Sequence, residues 1–240
     1  MSDNPHLPQS PLNPLPPVVW ALVLPMVFLE AVLQAADAGL VGGAQGVGWR
    51  MEVLSRMVFL PDQLVFMWES QRFPLQELVR ILTYSFVHVS LTHAAFVVVF
   101  TLALGKFVGE IFHPLALVAL FIGSAVIAAL VYTFFVVQIP ALRAGQGQMV
   151  PLVGGYSGAF GLIGAFTFIL WVRLGSSGGE SWRAFSLIGL MMLVRLLFGI
   201  FFGVSPDWVA DLAGFAAGFL LSFVLVPGGP GKLIAYLRSR

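Results

Sequence analysis

The stretch 154-GGYSGAFGLIGAF-166 sets one serine, Ser157, among closely spaced glycines between two long apolar runs. With a positioned base to remove its proton, such a hydroxyl is a nucleophile for acyl transfer. Without one it is a small residue that lets helices approach closely. Candidate partners are few. The chain has four histidines, His6, His88, His93 and His113, and no cysteine, which removes disulfides, thiolate metal sites and a cysteine nucleophile. Within the apolar segments stand Glu30, Gln34, Arg195 and Asp211. A charge in lipid is costly unless paired or hydrated, so each is a candidate for function by default.

Two spacings carry chemical content. His88 and His93 are five residues apart, which on a helix turns their rings roughly 140° away from each other. A metal pair uses a spacing of three or four on one face, so no metal is expected. No cofactor is expected either, since no phosphate-binding glycine loop is present. Arg195 and Asp211 flank the tight turn 205-SPD-207, roughly 13 Å and 6 Å from the end of their segments at the helical rise. An arginine stem can extend along its helix by several ångströms, so an Arg195–Asp211 ion pair is expected.

These residues must be positioned in a membrane. Of 240 residues 59% are hydrophobic and only 10% charged, and the mean hydropathy is +0.95, whereas soluble domains average about 25% charged residues. The net charge of +1 gives no sign of nucleic-acid binding. A hydrocarbon core about 30 Å thick needs roughly 20 apolar helical residues, and six segments qualify: 18–37, 81–104, 114–138, 155–174, 184–204 and 208–226. Residues 1–17, polar and proline-rich, read as a disordered or extended tail. Residues 18–226 form one transmembrane domain, and 227–240 a basic cytoplasmic tail. The loop 38–80, with amphipathic pieces such as 50-RMEVLSRMVFLP-61, is too polar to span and too apolar to float free, so it is expected at the membrane interface. The distribution of Lys and Arg favours both termini on the cytoplasmic side. The expected location is a bacterial inner (cell) membrane.

Glycines complete the pattern. Gly155, Gly158, Gly161 and Gly164 recur every third residue on the fourth segment, and Gly214 and Gly218 form G-x-x-x-G on the sixth. Small residues permit close backbone approach where lipid supplies no hydrophobic force between helices, so segments four and six should be the tightest pair.

Six spans, a long first loop, H-x4-H on the second span, G-x-S-G on the fourth and G-x-x-x-G on the sixth together resemble the rhomboid intramembrane serine proteases. The resemblance covers about residues 18–226 and implies an all-α, six-helix membrane bundle. In that family a fourth-span serine and a sixth-span histidine, placed as H-x-x-G-x-x-x-G, form a catalytic dyad. A second histidine and an asparagine on the second span help to stabilise the oxyanion. Carried over, the resemblance makes Ser157 the candidate nucleophile and His93 the candidate oxyanion-side histidine. His88 is the other second-span histidine, and Arg80 matches the arginine that ends the first loop.

Three positions depart from the pattern. The sixth-span histidine position is Asp211, and the asparagine position is Val97. The family commonly continues its serine motif as G-x-S-G-A-h-F-G-L-h-G-A (h apolar). The stretch 155-GYSGAFGLIGA-165 is one residue shorter, so alignment from FGLIGA backwards puts Tyr156 in the nucleophile slot. An aspartate is a weaker base than a histidine, and one bound to an arginine is weaker still. The resemblance therefore implies a silent or impaired member that binds transmembrane segments of client proteins in the lipid bilayer. The alternative is an active endopeptidase in which Ser157 attacks transmembrane substrates. Arg195, Tyr156 and His88 are the further candidate binding residues.

Overall fold

The computed structural model describes residues 15–144, 147–202, 205–229 and 231; the side chains of residues 44, 195, 196 and 198–202 are outside that description. Among the described residues ten α-helices follow in order: α1 Pro17–Asp37, α2 Gly43–Gly46, α3 Trp49–Met57, α4 Pro61–Ser70, α5 Leu75–Thr83, α6 Leu91–Gly109, α7 Pro114–Gln138, α8 Tyr156–Ser176, α9 Ser186–Phe202 and α10 Trp208–Leu225. Among the described residues, α1, α6, α7, α8 and α10 are long and apolar enough to cross a membrane. The fifth expected segment is α9, of 17 residues, led in by a 3₁₀ turn at Ser181–Phe185.

Helix starts follow local chemistry. Pro17, Pro61 and Pro114 open α1, α4 and α7, where a missing N–H costs nothing. Ser90 caps α6, its hydroxyl accepting from the His93 N–H at 3.2 Å. This cap corrects the expected second segment, 81–104. The spanning helix starts ten residues later, and the intervening chain forms the end of α5, a 3₁₀ turn at Tyr84–Phe86 and an extended stretch. The first loop is itself helical, α2 to α5. It exposes Met51, Phe66, Trp68 and Leu75.

Helix α8 is the centre of the bundle. Of its apolar window 61% is buried, against 33% for α1 and for α6. Its glycine column is why neighbours come so near. A methyl group on Gly158 would meet the Phe121 ring of α7 at 2.8 Å, and one on Gly164 the Phe219 nitrogen of α10 at 2.6 Å. Reciprocally, a methyl on Gly214 would collide with the Ser157 carbonyl oxygen, and one on Gly218 with that of Gly161. The expected pairing of the fourth and sixth segments is thus backbone against backbone.

Candidate functional site

Ser157 is the second residue of α8 and is buried. Its placement depends on the preceding loop, which is pinned at Val150, Leu152, Gly154 and Gly155. The Tyr132 hydroxyl donates to Val150 O at 3.0 Å. Leu152 pairs with Phe59 of the first loop through two main-chain bonds of 2.9 and 3.0 Å. The Gly154 N–H donates to Tyr84 O at 2.8 Å, and the Gly155 N–H to His88 Nε2 at 3.5 Å. Gly154 has φ +90°, a region L side chains rarely adopt, and a methyl there would meet His93 Nε2 at 2.6 Å.

The two histidines correct the helical-wheel estimate. Because His88 precedes α6, the rotation of 140° does not apply, and the rings meet edge to face with centroids 5.2 Å apart. His88 is almost completely buried. Burial first, then the neighbouring His93, pull its pKa down to about 4, so near neutrality the ring is uncharged and Nε2 can accept. His93 stacks on Tyr156, centroids 4.9 Å apart at 20°. Val97 packs its methyl group against Gly155, 2.8 Å from where a Cβ would stand.

Around this corner lies a cavity of about 210 Å³ whose lining includes Tyr84, His93, Gly154, Tyr156, Ser157 and Asp211. Tyr156 and Ser157 thus both reach it, by different routes. Tyr156 turns toward α6 and stacks on His93, while Ser157 lies beneath Gly214 of α10. Asp211 is three residues before Gly214 and seven before Gly218, which keeps it on the α10 face that meets α8. It is buried. Among the sequence candidates, the structure brings together Ser157, Asp211, His93, Tyr156 and His88. The expected Arg195–Asp211 pair is outside the described residues because the Arg195 side chain is.

Tyr84 and Asp207 are among the lining residues that sequence reasoning missed. Tyr84 is completely buried and donates to Ala125 O at 2.8 Å. Burial pushes its phenol pKa far up, opposed by the nearby Ser157 and Ser85 hydroxyls. Asp207 adds a second carboxylate to the wall. A buried tyrosine needs a partner for its hydroxyl, so Tyr84, in the apolar run 79-VRILTYSFVH-88, was the available signal. Glu30 and Gln34 are joined by a bond of 2.9 Å, and both Glu30 oxygens bond Arg50.

Chemically, the site gathers the Ser157 hydroxyl, an imidazole, the Tyr84 and Tyr156 phenols and two carboxylates at the N-terminus of a helix, where free N–H groups and the helix dipole favour developing negative charge. The imidazole comes from α6. Helix α10 supplies a carboxylate at position 211 and contains no histidine.

A family model described as Rhomboid domain matches residues 75–228. The match takes in every lining residue named above and begins in α5, leaving out α1 to α4. Comparison with curated proteins finds no match.

Proposed function

The chain belongs to the rhomboid family, and from that membership we propose that it is a proteolytically silent integral membrane protein that binds transmembrane segments of clients. One observation carries the proposal. Gly214 and Gly218 seat α10 on the main chain of Ser157 and Gly161, and the same helix face carries position 211, which holds a carboxylate where the family pattern has a histidine. General bases work best with a pKa near the operating pH. Histidine meets that condition at its unperturbed pKa, and the family pattern has a histidine where this chain has Asp211. Val97 in place of an amide removes one oxyanion donor of the family pattern, and Tyr156 occupies one face of the His93 ring.

The second reading, an active endopeptidase, is favoured by the shared cavity of Ser157, His93 and Asp211. There His93 and helix N–H groups would hold the oxyanion, with Asp211 as base. We place both termini on the cytoplasmic side of a bacterial inner membrane, which puts the cavity at the outer leaflet and the first loop at its interface.

The two readings separate by partner recovery. A client-binding protein captures the same membrane proteins reproducibly from native membranes, and Ser157→Ala leaves that capture unchanged. Recovery of no reproducible membrane partner counts against client binding.

A further inference from the structure

We infer that Arg50 is a positioning residue: its guanidinium ties the first loop to α1 and, by holding the His88 carbonyl, sets the His88–His93 wall of the cavity. Four hydrogen bonds converge on it. Nη2 donates to Glu30 Oε1 at 3.0 Å and Nη1 to Glu30 Oε2 at 3.1 Å. Nε donates to Asp37 Oδ2 at 2.8 Å, and Nη1 also donates to His88 O at 3.1 Å.

A planar guanidinium presents donors in a rigid fork, so these acceptors are fixed relative to one another in a way a single ammonium cannot reproduce. Glu30 is 4% exposed, and a carboxylate that far from water holds its cation tightly because leaving it alone is costly. The His88 end then matters for the site. The same residue that gives its carbonyl to Arg50 gives Nε2 to the Gly155 N–H, at the start of the helix that carries Ser157. Its ring is the edge on which His93 rests, and His93 in turn carries Tyr156. Glu30, Asp37 and Arg50 all precede the residues matched by the family model, 75–228. The latch therefore lies in the N-terminal third, outside the residues matched by the family model, and it holds whether the cavity cleaves or only binds.

The test uses the full chain in lipid bilayers with guanidine-¹⁵N arginine and carbonyl-¹³C histidine. In the unaltered protein, rotational-echo double resonance should dephase one histidine carbonyl carbon through the guanidine nitrogen that lies 3.1 Å from its oxygen; no such coupling overturns the contact outright. Arg50→Lys, which keeps a cation for Glu30 but not the fork, and Arg50→Met should then each broaden or split the His88 ring nitrogen and Gly155 amide signals. In Arg50→Met the His88 titration midpoint should also rise, since a repelling charge is gone. If folded Arg50→Lys shows His88 and Gly155 signals identical to the unaltered chain, Arg50 only fastens the loop and the positioning role is wrong. Should neither variant fold, the inference stands or falls on the coupling in the unaltered protein.

Discussion

Gly214 rests directly on the main-chain carbonyl of Ser157. No side chain separates α10 from α8 at the residue whose hydroxyl is in question, and Gly218 repeats the arrangement over Gly161 one turn on. Any Cβ at either position must force the two helices apart. Gly214→Ala and Gly218→Ala should each lower stability by roughly 1–3 kcal/mol, the usual cost of overpacking. Gly189→Ala on α9, where an added methyl meets nothing within 4 Å, should be neutral or stabilising by up to about 1 kcal/mol. Thermal unfolding in detergent compares all three.

Removing the carboxylate that holds Arg50 should be expensive. Glu30→Gln leaves a partly buried guanidinium, bonded to it at 3.0 and 3.1 Å, short of its main counter-charge, at a cost of about 2–3 kcal/mol. Asp37→Asn, at a half-exposed carboxylate, should cost less than 1 kcal/mol, in the range of exposed pairs. The order of the two melting temperatures is the measurement.

His88 makes stability depend on pH in a defined window. Its folded pKa is depressed to about 4, whereas an unfolded histidine titrates near 6.5. Between those values the unfolded chain binds the extra proton, so stability rises with pH across the window and falls as acid is added. The His88 contribution, on the order of 3 kcal/mol for a shift of this size, is complete above about pH 6.5. Comparing the pH dependence of unfolding for the unaltered chain and His88→Gln isolates it; parallel curves between pH 4 and 6.5 would show that His88 does not titrate as described.

Much of this was legible in the sequence because it is periodic. Glycines every third or fourth residue announce a contact stripe that pairs the fourth segment with the sixth, while Asp211 was set beside Ser157 through the family resemblance. Hydropathy located the spanning helices to within a few residues, except at α6, where the apolar run continues through the 3₁₀ turn and only the Ser90 hydroxyl marks the true start. What was not legible is long-range. Nothing in local pattern says that Phe59 pairs with Leu152, that Tyr84 O receives the Gly154 N–H, or that Arg50 crosses from the first loop to Glu30. The histidine spacing misled because a helix was assumed where the chain is extended, and two rings set apart on paper touch in space.

If the missing base is what silences Ser157, restoring an imidazole should be felt. Asp211→His should raise the rate of fluorophosphonate labelling at Ser157 by on the order of 10²-fold, the lower end of what a positioned general base contributes. Labelling should vanish in the double variant with Ser157→Ala. An Asp211→His protein that folds but labels no faster than the unaltered chain would show that more than the base is lacking, with Val97 and the Tyr156–His93 stack the next positions to change.

The most direct measurement is fluorophosphonate labelling of the unaltered, folded protein in lipid, with Asp211→His alongside. A silent Ser157 predicts no adduct on the unaltered chain over a time in which the histidine variant is labelled. An adduct on Ser157 of the unaltered chain, lost in Ser157→Ala, would contradict that silence and make Asp211 or His93 a working base.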